Sequence, residues 1–247
     1  MGINLKELRI GEIHTMKCGY TIEIIDYKDA NDVTIKFLET DEVIEGVRYG
    51  NIKKKSLKPR FSPTVYGWGI TGTEKIRDDN GSMLKSYRVW GSMIGRCYGE
   101  VYNKRNPNYI GCEVCEEWRL YSNFKKWFDE NYYTLEDEDV QLDKDLICNN
   151  LGLESKLYSP TTCLFLPKGI NVKLIRLNKD KKFTILPSGN FRIRSKTEKT
   201  KEVYETYEEA LEGYKQDRLL SIRTSLENYK DKIPSNVYDE IYNIKIK

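Results

Sequence analysis

The stretch Leu142-Asp143-Lys144-Asp145, followed by Tyr158-Ser159-Pro160-Thr161-Thr162-Cys163 and then Ile170-Asn171, decides how this chain is read. It is laid out as a strand ending in acidic residues, a polar loop, a second strand, and an asparagine that opens a helix. A histidine, the residue that acid–base chemistry at such a place most needs, is missing from it. The only histidine in the chain is His14, far away in sequence.

The 247 residues suffice for two or three small domains or one large one. With 39% hydrophobic and 32% charged residues, the chain has enough apolar surface for real cores. The net charge is only +3, but its distribution is uneven. From Lys168 to Lys199 there are ten Lys/Arg against two acids, Asp180 and Glu198. Between Cys112 and Asp145 the balance reverses, with the run Glu136-Asp137-Glu138-Asp139. A basic stripe beside an acidic block suits a protein that holds a polyanion on one face, and equally suits solvated surface. No run is long and apolar enough to span a membrane, and Met1 to Lys6 carry no signal-peptide core, so a cytoplasmic location is expected. The six cysteines are irregularly spaced and read as thiols.

Three modules are expected. Residues 1–70 read as a small β module, with strands in Tyr20–Tyr27 and Val33–Leu38, turn residues Asp29 to Asp32 between them, and a further strand over Val47–Ile52. The basic run Lys53-Lys54-Lys55 at its end suits phosphate contact or an exposed linker. Residues 61–81 are rich in Gly and Pro and read as a linker or ordered loop. In the central module, 71–178, Tyr87, Trp90, Met93, Ile94 and Cys97 recur at helical spacing. A second helix is expected from Glu116 to Asn131, with Trp118, Tyr121, Phe124, Trp127 and Phe128 as its core face. In the last module, 179–247, three short strands (182–186, 191–194, 202–204) precede a helix opened by Thr206, with Glu209 completing a capping box. The fold class is α+β.

Alternation in Phe191-Arg192-Ile193-Arg194 puts Phe191 and Ile193 against that helix and turns Arg192 and Arg194 outward, with Lys182 and Lys196 nearby. A small sheet with an arginine-bearing open face can lie in the DNA major groove. Arginine there reaches guanine through two hydrogen bonds, while lysine holds phosphate. Together with Tyr204–Ala210, Tyr214-Lys215 and Tyr229–Pro234, this segment resembles the Apetala-type DNA-binding domain appended to many phage homing endonucleases. The alternative is a structural sheet with solvated arginines.

The middle segment resembles the HNH, or ββα-metal, endonucleases of phage genomes and introns. The residues that carry the likeness are Tyr87-Arg88-Val89-Trp90, Met93, Arg96-Cys97-Tyr98, Trp118, Asn123-Phe124, Trp127, Leu142–Asp145, Tyr158-Ser159-Pro160, Cys163, Pro167 and Ile170-Asn171. The resemblance implies a central ββα-metal unit with flanking helices. It implies a divalent ion such as Mg²⁺ on Asp143 and Asn171, and a catalytic set of Asp143, Lys144 and Asp145. Lys144 falls where the family has its general-base histidine. A lysine has an ordinary pKa near 10.4, and two flanking carboxylates raise it further, so it is better suited to gripping a phosphate. Asp145 is then a substitute base, a second ligand, or a salt-bridged carboxylate. Asn149 and Asn150 shape the loop or fill the motif's central asparagine role.

Cys112-Glu113-Val114-Cys115 has zinc-ligand spacing but no second such pair, so buried or free thiols are the expectation. His14 reads as an ordinary loop or surface histidine. Two functions remain open. One is a phage protein that binds double-stranded DNA and cleaves it with a divalent metal. The other is a binding protein with a dead nuclease centre that regulates phage DNA or blocks a host defence protein.

Overall fold

A computed structural model describes residues 5–153, 156–177, 182–195 and 197–246. The chain is α+β with several small sheets. It divides into two compact units, Met1–Asn108 with Glu116–Phe124, and Tyr109–Cys115 with Lys125–Lys247.

In the first unit a short helix, α1 (Leu5–Arg9), leads into an antiparallel meander of β1 (Ile13–Thr15), β2 (Thr21–Asp29), β3 (Asp32–Phe37) and β4 (Val43–Val47). The β2–β3 turn forms where turn chemistry predicts it. Asp29 Oδ1 accepts from the N–H groups of Asn31 (2.6 Å) and Asp32 (3.2 Å). Ile22 and Ile24 face the core, then a register shift between Ile24 and Asp26 changes the parity. Ile25 faces outward as alternation requires, and the shift brings Tyr27 inward, as a bulge allows. The strand expected over Val47–Ile52 is a correction: β4 stops at Val47, and Tyr49–Lys53 wind into a short helix, α2, that buries Tyr49 and Ile52.

The Gly/Pro-rich residues after it are ordered by backbone pairings of Val65 with Gly69, Ile70 with Leu120 and Arg77 with Met83. Helix α3 (Lys85–Tyr98) buries Trp90, Met93, Ile94 and Cys97, the face its spacing predicts. Trp90 Nε1 donates to the carbonyl of Trp118 at 2.7 Å. Gly69 is glycine for a reason: a Cβ there would lie 2.9 Å from the Trp90 ring. Helix α4 (Glu100–Arg105) follows. The helix expected from Glu116 begins later, because Glu116–Arg119 form a single 3₁₀ turn ahead of α5 (Tyr121–Asn131).

In the second unit β5 (Glu113–Val114) pairs in parallel with β7 (Leu157–Tyr158). Strand β6 (Val140–Asp143) leads into helix α6 (Asp145–Leu151), and β8 (Leu164–Pro167) returns antiparallel to β6, with Asp143 opposite Leu164. The chain then enters α7 (Lys168–Leu177) directly. The polar loop expected after Asp145 is thus corrected to a helix. Leu164, Leu166 and Ile170 join Leu146 in a core shared with α8 (Tyr207–Leu226) and α9 (Ser235–Tyr242), through Ile222, Leu226, Val237 and Ile241. Phe165, on the other face of β8, stacks against Trp127, Phe128 and Tyr132. Strands β9 (Phe183–Ile185), β10 (Phe191–Ile193) and β11 (Val203–Tyr204) form a separate sheet in the order β11-β10-β9. Helix α8 packs on it and opens with the capping box of Thr206 and Glu209.

Candidate functional site

Strand β6 alternates, burying Val140 and Leu142 and turning Gln141 and Asp143 to the other face. Asp143 closes the strand and starts α6. Its Oδ1 accepts from the N–H groups of Asp145 (3.0 Å) and Leu146 (2.8 Å), supplying acceptors to donors that a helix start leaves unpaired. The residue is half-buried but its carboxylate is enclosed. That burial pushes its pKa up to about 6, with the Asp145 charge adding to the rise. The two N–H bonds and Lys144 pull the other way and do not offset it.

Lys144 is 7% exposed. Its ammonium pairs with the Asp145 carboxylate, and Nζ lies 5.6 Å from the centroid of the Tyr158 ring. Burial works against the charge, but the hydrogen bond and attraction of Asp145 outweigh it and hold the pKa above the ordinary lysine value. Lys144 is therefore a committed cation, unsuited to accepting a proton at neutral pH. Asp145 keeps 58% of its side chain exposed.

Asn171 sits in the first turn of α7, 7% exposed. Its Nδ2 donates to Gln141 Oε1 at 2.9 Å, and its Oδ1 is buried without a hydrogen-bond partner. Asp143, Asp145, Asn149 and Asn171 line one cleft, closed on its other side by Leu174, Ile175 and the segment Ile244-Lys245-Ile246. The residues Asp143, Asp145 and Asn171 are thus brought together. Gln141 was missed by sequence reasoning, although it shares the face of Asp143 two residues away on the strand.

Three oxygen donors around one cleft, one of them an orphaned buried carbonyl, fit a hard divalent cation. Among the described residues no group of three or more His, Cys, Asp or Glu is placed to hold a metal. The six cysteines are thiols, with Cys112 and Cys115 flanking β5. Asn150 has a structural role: Nδ2 donates to the carbonyl and carboxylate of Glu240, and Oδ1 accepts from Lys245 N–H. In the first unit His14 Nε2 lies 2.9 Å from Glu12 Oε2, which also accepts from the Tyr49 hydroxyl.

The second candidate surface is the β11-β10-β9 sheet. Ile193 is buried against Ala210 and Tyr214 of α8, and Phe191 packs beside it. Arg192 and Arg194 point away and are exposed, and neither forms an ion pair among the described residues. Arg192 lies between Thr184 and Val203 in register. Lys182, half-buried and engaged in an interaction of its own, precedes β9; Lys196 lies outside the described residues.

Comparison with protein-family models, with curated proteins and with solved structures finds no match. No helix among the described residues is long and apolar enough to cross a membrane.

Proposed function

We propose that this chain is a double-stranded-DNA-binding protein built on the plan of the HNH homing endonucleases, with the β11-β10-β9 sheet as its reader. The observation that carries the reading is the exposure of Arg192 and Arg194 on the open face of a sheet whose other face is pinned to α8. A desolvated arginine in the core would need an ion partner, whereas an exposed one on a rigid strand is ready to meet phosphate or a guanine edge. Lys182 immediately precedes β9 of the same sheet. Arg192→Ala with Arg194→Ala, tested by mobility shift on duplex DNA across a salt series, is expected to weaken binding at least tenfold and flatten the salt dependence. Unchanged binding in the double variant refutes the reading.

The acidic cleft supports a second reading, metal-dependent phosphodiester cleavage. What favours it is the buried, unpartnered Oδ1 of Asn171, a residue that lines the same cleft as Asp143 and Asp145. Asp143 and Asn171 would hold a Mg²⁺-class ion, with β6, β8 and α7 as the ββα frame. Such an ion stabilises the leaving oxygen of a phosphodiester when bound. The chain's own contribution is placement: Gln141 fixes the Asn171 amide, the α6 N–H groups fix the Asp143 carboxylate, and Asp145 neutralises Lys144. Incubation with plasmid DNA in Mg²⁺, Mn²⁺ or EDTA, alongside Asp143→Ala, separates cleavage from binding. A binding protein with a silent centre, acting as a regulator or on a host defence protein, predicts no cut in any lane.

A further inference from the structure

The segment after β10 carries Arg194 and then meets a buried carboxylate. Asp217, on α8, is 1% exposed. Its Oδ1 accepts three hydrogen bonds from this segment: Ser195 Oγ (2.7 Å), Thr197 N–H (3.0 Å) and Thr197 Oγ1 (2.9 Å). Ser195 Oγ also contacts the Thr197 carbonyl, and Thr197 Oγ1 lies 2.9 Å from Thr200 Oγ1. A buried carboxylate is costly unless its acceptors are used, and here one oxygen closes on the residues that follow Arg194. The next strand is fixed to the same helix. Tyr204 of β11 lies so close to Gly213 of α8 that a Cβ there would overlap its ring. The arginine face is therefore clamped to α8 one residue after Arg194 and again on β11.

We infer that Asp217 is a positioning residue for base recognition, holding Ser195 and Thr197 so that Arg194 meets one defined base. This rests on the DNA-binding reading above and extends it to sequence choice. A side chain that only holds phosphate tolerates movement of an ångström or two, because the attraction is long-ranged. A two-bond contact to a guanine edge does not. Asp217 should therefore govern discrimination between sequences and leave the electrostatic part of binding alone.

The test uses the full chain with a random-sequence duplex pool, from which wild type selects a preferred duplex. Wild type, Arg194→Ala, Asp217→Ala and Asp217→Asn are then compared on that duplex and on unselected duplex. Asp217→Ala is expected to lose about tenfold in affinity for the selected duplex, at the base position that Arg194→Ala also relaxes. Its affinity for unselected duplex and its salt slope are expected to stay at wild-type values. Asp217→Asn retains an Oδ1 acceptor and should recover most of the discrimination, which a general loss of folding would not allow. Asp217→Ala that discriminates like wild type overturns the inference, as does wild type that binds duplex but enriches no sequence. Wild type that binds no duplex at all overturns the DNA-binding reading itself.

Discussion

Asn171, which lines the cleft, is held by Gln141 through a 2.9 Å bond from Nδ2 to Oε1, and its own Oδ1 is buried without a hydrogen-bond partner. An unsatisfied buried carbonyl costs about 1–3 kcal/mol, so a ligand for it stabilises the fold. Mg²⁺ or Mn²⁺ is expected to raise the melting temperature of wild type, by the equivalent of roughly 2.7 kcal/mol at a hundred times Kd. Asn171→Ala and Asp143→Asn should each abolish the shift. Scanning calorimetry in EDTA and in metal reads this directly, and an equal shift in all three proteins would remove the proposed ligands.

Lys144 is buried against Tyr158 and paired with Asp145, so its role is tied to packing and charge balance rather than proton transfer. Lys144→Met keeps the stem and leaves Asp145 largely in water, so it is expected to cost under about 1 kcal/mol. Lys144→Ala removes buried methylenes and should cost about 2 kcal/mol. Urea titrations distinguish the two. If cleavage is observed in wild type, Lys144→Met should retain it, and loss of cleavage with intact stability would show that the lysine takes part in the reaction.

Gly213 lies within α8, where alanine is ordinarily better by about 1 kcal/mol. The Tyr204 ring occupies the space a Cβ would need. Gly213→Ala is therefore expected to destabilise by about 2 kcal/mol net, with the β11-β10-β9 sheet moving off the helix. Hydrogen exchange should show the loss concentrated in β9 to β11, and a stabilised variant would show that the ring yields freely.

The β11-β10-β9 sheet was legible because its signals are local. Phe191 and Ile193 alternate with two arginines, and Thr206 with Glu209 writes out a capping box; sheet and helix form as those patterns require. The α3 face was legible for the same reason. The acidic motif was only half legible. Its strand and its asparagine at a helix start are present, but Asp143 also caps α6, turning the expected loop into a helix. Nothing in the composition of Asp145–Leu151 favours helix over turn strongly, and the cap together with burial of Leu146 and Cys148 decides it. Pairing of Lys144 with its immediate neighbour depends on Tyr158 arriving beside it from β7, a long-range contact that spacing does not encode. Val47–Ile52 failed as a strand because Tyr49 and Ile52 reach one core only at helical spacing.

The Asp143 carboxyl has an ordinary value of 3.8 and is pushed up to about 6 by burial in the folded chain. Between those values the unfolded chain has released the proton while the folded chain keeps it. The folded state then binds more protons, so stability falls as pH rises through this window and stays lower above it. The full effect corresponds to roughly 3 kcal/mol. In EDTA, unfolding free energy is expected to drop between about pH 4 and pH 6 by up to this amount, on top of whatever other groups contribute. Asp143→Asn keeps an acceptor for the Asp145 and Leu146 N–H groups but has no proton to lose, so this part of the slope should vanish and the variant should be the more stable protein at pH 7. Parallel pH–stability curves for the two proteins would show that the carboxylate is solvated and that the cleft imposes no such penalty. Convergence of the curves on adding Mg²⁺ at pH 7 would mean that the cation offsets the penalty.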